Sequence, residues 1–189
     1  KCIVLKHKNI REKMTYAEEL EYLATNEKRN NFIVNLLQHL DGNTLCLFQL
    51  VEKHGKPLYA QVKDTIDDRK TFFVYGGTDT SERENIRGVV ENEKKSIILA
   101  SYGTFSTGIN IRNINNIVFS SPSKSRIRVL QSLGRGLRKT DTKVSVLIFD
   151  IADDMSHNDK RNFTLNHFSE RISLYNEQQF DYQISKVNL

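Results

Sequence analysis

Five short apolar runs punctuate the middle of the chain: Leu45-Cys46-Leu47-Phe48, Phe72-Phe73-Val74-Tyr75, Ile97-Ile98-Leu99-Ala100, Ile117-Val118-Phe119 and Val144-Ser145-Val146-Leu147-Ile148-Phe149. Their apolar positions are continuous rather than alternating, the pattern of strands covered on both faces in a parallel sheet. Polar, helix-compatible stretches lie between them: one after Gly55, one with Ser81 and Glu84 spaced as a capping box, and one from Lys124 to Arg138. Such alternation predicts an α/β doubly wound fold, a parallel sheet flanked by helices.

The flanks carry different periods. Cys2-Ile3-Val4-Leu5 predicts a short strand, and Thr15 with Glu18 predicts a capped helix whose apolar stripe includes Leu20 and Leu23. Phe32, Ile33, Leu36, Leu37 and Leu40 mark a second helix, stopped by the turn signal Asp41-Gly42-Asn43. After Asp153-Asp154, which read as surface or cap residues, Leu165, Phe168, Ile172 and Tyr175 follow helical spacing. Phe180, Tyr182 and Ile184 then alternate with polar residues, as an edge strand does. The expected division is an N-terminal strand and helical segment (1–42), an α/β core (43–151) and a small helix-strand appendage (152–189).

Composition narrows the function classes. A chain of 189 residues, 38% hydrophobic and 27% charged, suits one globular core. No stretch reaches the ~20 apolar residues of a membrane span and no signal segment is present, so a cytoplasmic, membrane-free protein is expected. Cys2 and Cys46 lack ligand or redox spacing, and Cys46, inside an apolar run, reads as a reduced core thiol. His7, His39, His54, His157 and His167 show no clustered metal spacing; His54 and His167 read as surface or packing residues.

Charge changes the picture more. The formal net charge is +5, and residues 124–139 hold six basic side chains and no acidic one, leaving 22 basic against 23 acidic elsewhere. On a helix, Lys124, Arg128, Gln131, Arg135 and Arg138 fall within roughly an 80° arc, while Leu130, Leu133 and Leu137 lie on another face. The arginines have no i,i+4 carboxylates, and Gly134 and Gly136 each cost about 1 kcal/mol in a helix interior. A solvated basic face is the plain alternative, but this cost suits a helix whose backbone something approaches closely.

Ligands in open α/β sheets bind beyond the carboxyl ends of strands. Gly76-Gly77-Thr78, Ser101-Tyr102-Gly103-Thr104, Ser120-Ser121-Pro122 and Asp150 are expected there, and their small hydroxyl and glycine residues suit close approach of phosphates. Loops are rich in such residues in any case. Phe105 is open to two roles, stacking on a base or packing in the core.

Gln131-Ser132-Leu133-Gly134-Arg135-Gly136-Leu137-Arg138 resembles motif VI of superfamily 2 helicases, and Ser106-Thr107-Gly108-Ile109-Asn110-Ile111 resembles motif V. Leu45-Cys46-Leu47-Phe48-Gln49 is similar to motif IV, and Gly76-Gly77-Thr78 with Arg83 to the element between motifs IV and V. Lys124–Leu130 and Asp150–Asp154 are similar to the UvsW-type recombination helicases of bacteriophages. The resemblance implies the second RecA-like domain of an ATP-dependent DNA helicase or branch-remodelling translocase, in recombination, replication and repair. It implies ATP and Mg²⁺ as cofactors, both held mainly by a first RecA-like domain that is also the partner across the ATP cleft. Branched or single-stranded DNA is the implied substrate, and a phage origin would place the protein in the host cytoplasm. Arg135 and Arg138 would be the arginine fingers, binding ATP together with Gln131, Gly108 and Asn110, although Asn110 stands where many relatives carry aspartate. Gln49, Gly77, Thr78, Ser101, Thr104 and Thr107 would contact nucleic acid. No G-x-x-x-x-G-K-[ST] phosphate loop and no strand-borne acidic helicase box occur, so this chain by itself is expected to be inactive. Two other readings stay open: a non-catalytic nucleic-acid-binding module, and an RNA helicase of the same superfamily.

Overall fold

The computed structural model describes residues 1–8, 10, 12–106, 113–122, 145–158 and 160–189. Seven strands form one sheet: β1 (Cys2–Lys6), β2 (Thr44–Phe48), β3 (Thr71–Val74), β4 (Ile97–Ser101), β5 (Asn116–Phe119), β6 (Leu147–Asp154) and β7 (Ile184–Asn188). Their order is β3-β4-β2-β5-β6-β1-β7, and every pairing is parallel. This is the α/β, helix-flanked parallel sheet that the apolar runs predict.

Among the described residues, six helices accompany the strands: α1 (Tyr16–Thr25), α2 (Glu27–His39), α3 (Lys56–Thr65), α4 (Thr80–Asn92), α5 (Tyr102–Ser106) and α6 (Phe163–Glu177). Alternation within each strand splits the core in two. In β2, Leu45 and Leu47 join a cluster with Ile86, Val90, Leu165 and Phe168 from α4 and α6. Cys46 and Phe48 join the opposite cluster with Ile33, Leu37, Leu58 and Val62 from α2 and α3. Both faces are therefore covered, which is why these strands read as unbroken apolar runs.

The N-terminus of α1 carries the expected capping box between Thr15 and Glu18. Helix α4 departs from expectation: it begins at Thr80 with Asp79 at the N-cap, so Ser81 lies inside the helix, and Glu84 instead pairs with Arg87 at 2.9 Å. A five-residue π-turn, Val51–Gly55, leads into α3, and a Cβ at Gly55 would collide with the buried Phe48 ring. At Gly42 φ is +83° and Asn115 packs against the Cα at a distance that leaves no room for a side chain.

Two strands lie further along the chain than their apolar pattern indicates. Strand β6 starts at Leu147 and continues to Asp154, so Asp150 is mid-strand and Asp153-Asp154 are strand residues, not surface or cap positions. Backbone pairing of Cys2–Lys6 with Asp150–Asp154 supplies the reason: β1 templates the extension. Strand β7 likewise occupies Ile184–Asn188, beyond the Phe180–Ile184 alternation, because it pairs in register with β1. It is an edge strand, and the flanking segments 1–42 and 152–189 contribute β1 and β7 to the same sheet as segment 43–151.

Candidate functional site

The two edges of the sheet are built differently. At the amino edge, Arg69 donates to the carbonyls of Leu37, Leu40, Gly42, Lys95 and Ser96. Asn43, buried beside it, accepts from Ser96 N at 2.8 Å and donates to the Glu93 carbonyl at 2.7 Å. Polar side chains there are spent on tying loops together. The carboxyl edge instead gathers small hydroxyls, glycines and amides on four adjacent strand ends.

Chain connections leave β2 toward β3 on one side and β5 toward β6 on the other, so the ends of β2 and β5 form a topological switch point. Gln49 and Ser121 meet there, the Gln49 N–H donating to Ser121 Oγ at 3.2 Å. Tyr102 OH donates to the Ser121 carbonyl at 2.9 Å, and Ser120 Oγ donates to the Leu47 carbonyl at 2.8 Å. A crevice with room for about one water lies beside them, lined by Arg29, Gln49, His54, Ser121 and α1. The expected site residue Gln49 is exposed; Ser121 is buried.

On β4 and its following turn, Ser101 Oγ and Thr104 Oγ1 are hydrogen-bonded to each other at 2.7 Å, and both residues are buried. Gly103 between them is exposed, with open space above its Cα. On β3, Thr78 Oγ1 accepts from Tyr75 N at 3.0 Å, which closes the Gly76-Gly77 turn. Arg83 from α4 donates to the carbonyls of Tyr75 and Gly76 at 3.3 and 3.2 Å. Thr78 is thereby a turn-closing residue, while Gly76 and Gly77 present exposed backbone. Gln49, Gly77, Thr78, Ser101 and Thr104 thus lie along one edge. Thr107, Gly108, Asn110, Gln131, Arg135 and Arg138 lie outside the described residues, as does the basic Lys124–Arg138 segment; of Phe105 and Ser106 only the backbone is described.

Sequence reading passed over a buried ionic network behind this edge. Arg29, wholly buried on α2, donates from Nε and Nη2 to the two carboxylate oxygens of Asp153 at 2.8 and 3.0 Å. His7 Nε2 reaches the same carboxylate at 3.0 Å. Burial alone would raise the Asp153 carboxyl, but the Arg29 charge and the hydrogen bonds from His7 and Arg29 outweigh it and hold the group below the usual range. A second fork joins Arg171 of α6 to Asp150 at 2.7 and 3.0 Å, with Tyr175 OH donating to Asp150 at 2.6 Å. Only knowledge that β6 runs through both aspartates would have flagged them, and that depends on pairing with β1.

His54 stands in the first network's shadow. Burial, with the nearby Arg29 charge, lowers its pKa to about 3, so it is neutral. Its Nε2–H donates to Asn30 Oδ1 at 3.2 Å and its Nδ1 accepts from Ser121 Oγ at 2.8 Å, one consistent tautomer. His54 is a packing residue that orients Ser121, as its sequence context suggests, and among the described residues no group of three His, Cys, Asp or Glu is placed to hold a metal. No helix among the described residues is long and apolar enough to cross a membrane.

Residues 27–140 match the family model described as the helicase conserved C-terminal domain. The ATP-dependent DNA helicase uvsW of Enterobacteria phage T4 is 37% identical over 188 residues, covering 93% of this chain. This chain spans 37% of that relative's length. The crystal structure of T4 UvsW superposes with a TM-score of 0.83 at 35% identity, covering 99% of this chain and 41% of that one. The C-terminal domain of the DEAD-box protein Dbp5 shares the fold, with a TM-score of 0.63 at 12% identity over 100% of this chain and 89% of that one.

Proposed function

The chain belongs to the helicase conserved C-terminal domain family, and from that premise we propose that it is the second motor domain of an ATP-dependent DNA helicase, one that remodels branched or single-stranded DNA in recombination, replication and repair. The observation that carries the reading is the carboxyl edge: β2, β3, β4 and β5, each followed in sequence by a motif-bearing or hydroxyl-rich stretch, all end on the same side of the sheet. DNA rather than RNA is favoured by the name and the 37% identity of the phage relative.

Each group has a role in this reading. Exposed backbone at Gly76, Gly77 and Gly103, with Gln49, Ser101, Thr104 and Thr107, contacts the sugar-phosphate backbone and is indifferent to base identity. Arg135 and Arg138 act across a cleft on ATP held by a first RecA-like domain, with Gln131, Gly108 and Asn110 lining the nucleotide side. A guanidinium there neutralises charge that develops on the transferred phosphoryl group. The donor set on the described carboxyl edge, hydroxyls and amides without a carboxylate cluster, fits phosphate oxygens and does not fit Mg²⁺, which we assign to the first domain. We place the protein in the cytoplasm, that of the host if it comes from a phage.

The test is DNA-stimulated ATP turnover in a protein that carries this chain beside a phosphate-loop domain. Arg135→Ala and Arg138→Ala should slow turnover by roughly a thousandfold while DNA affinity changes little. Arg128→Ala, on the same basic arc outside the motif, should keep turnover. If all three lose DNA binding alike and retain turnover per bound complex, the helix is a DNA-binding surface and the chain is a binding module.

A further inference from the structure

Several exposed basic side chains are paired with carboxylates: Lys53 with Glu21, Lys56 with Glu52, Lys70 with Glu93, Lys95 with Asp41, and Arg87 with both Glu84 and Glu91. One group is not. Strands β1 and β6 end side by side, Lys6 opposite Asp154, so the chain leaves the carboxyl edge at the two neighbouring points His7 and Met155. His157 ties the two segments by donating from Nδ1 to the Ile10 carbonyl at 3.0 Å. A tight turn then follows, with His157 and Lys160 exchanging backbone hydrogen bonds at 3.1 and 3.0 Å. Lys13, Lys160 and Arg161 line one shallow crevice there and are all exposed.

Among the described residues none of these three forms an ion pair. Two nearby carboxylates are held by backbone N–H groups. Glu19, 1% exposed, accepts from Phe163 N at 2.8 Å and Thr164 N at 2.9 Å, capping α6. Asp154 accepts from Ser156 N at 3.1 Å. Among the described residues the crevice is lined by two carboxylates, Glu12 and the buried Glu19, against three exposed cations. Two of the cations are also held in place: Lys13 Nζ sits 5.5 Å from the centre of the Phe163 ring, and Arg161 Nη1 donates to Ser169 Oγ at 3.0 Å. Less side-chain freedom is then lost when an anion arrives.

We propose that Lys13, Lys160 and Arg161 form an additional contact for the DNA phosphate backbone, continuing the track of carboxyl-edge loops past the switch point. The inference rests on the functional reading above. Strands β2 and β1 are three spacings apart in the sheet, so the strand end from which these segments leave is about 14 Å from that of β2, and about 24 Å from that of β3 at five spacings of ~4.8 Å. A short oligonucleotide on the motif loops would not reach it, and a longer one would.

The experiment compares the unaltered chain with the triple variant Lys13→Ala, Lys160→Ala, Arg161→Ala, using fluorescein-labelled single-stranded DNA of about 5 and about 25 nucleotides across a salt series. Three lost phosphate contacts should flatten the log affinity against log salt slope by about two for the longer DNA, since each contributes about 0.7 on a single strand. Affinity for the longer DNA should fall about tenfold or more, and affinity for the shorter one should hold. A control variant, Lys63→Ala, Lys94→Ala, Lys95→Ala, removes equal charge from the amino-edge side. Equal loss in both variants, or an unchanged slope in the patch variant, overturns the patch while leaving the functional reading intact. If the unaltered chain binds neither DNA, the functional reading itself fails and the patch with it.

Discussion

Acid should weaken this fold through one side chain, His54. The imidazole is 1% exposed, and its Nδ1 and Nε2 are committed to Ser121 and Asn30. Its folded pKa is about 3 against an ordinary 6.5, lowered first by burial and then by the Arg29 charge. A base whose folded pKa is depressed binds its proton more readily when unfolded. The stabilisation from keeping it neutral is therefore full above pH 6.5 and is lost as pH falls from 6.5 toward 3. Each pH unit in that window costs about 1.4 kcal/mol, so lowering the pH from 6.5 to 5 should remove about 2 kcal/mol. That is a large share of the ~5–15 kcal/mol typical of a domain.

Urea unfolding followed by circular dichroism at pH 7.5, 6.5, 5.5 and 5.0 measures the loss. The comparison is His54→Gln, which keeps a donor and an acceptor but cannot be protonated in this range. The variant should be less stable at neutral pH, because it fills the site imperfectly, and flatter with pH by about 2 kcal/mol across the window. Contributions from every group other than His54 are common to both proteins and cancel in the difference. Identical pH dependence in the two proteins, or a His54 resonance titrating near 6.5 in the folded state, would refute the reasoning.

Two further outcomes check the packing. Replacing Glu19 by Gln should destabilise the protein by about 1–2 kcal/mol, since its carboxylate caps the first turn of α6; thermal or urea unfolding measures this, and a change within ±0.5 kcal/mol would mean the cap is dispensable. Burial pushes the Cys46 thiol up to about 12 and the Cys2 thiol to about 11, so neither should react with an aromatic disulfide reagent at pH 8 until urea unfolds the chain; prompt labelling of either native thiol would contradict their placement in the sheet.

Several elements of this protein are decided locally and can be read from residue order. Thr15 and Glu18 close their capping box three residues apart, Gly42 stops α2, and the runs at Leu45–Phe48 and Ile97–Ala100 are apolar on both faces because helices cover both faces of their sheet. The family resemblance is equally local, carried by short phrases such as Gln131–Arg138 and matched again over residues 27–140. What residue order could not decide depends on pairings between distant segments. Strand β6 runs on through Asp150 and Asp153 because β1, some 148 residues earlier, offers its backbone in register, Cys2 against Asp150. That extension carries two aspartates into the interior, where Arg29 and Arg171 neutralise them from other helices. In sequence a charged pair reads as solvated, because solvation is the cheapest state for an isolated carboxylate. Only when the tertiary fold brings a buried guanidinium within 3 Å does the interior become the better place for it. The edge chemistry divides in the same way: local composition offers the hydroxyls and glycines, and the parallel strand order sets Gln49, Gly77, Ser101 and Ser121 on one side of the sheet, because every strand points the same way.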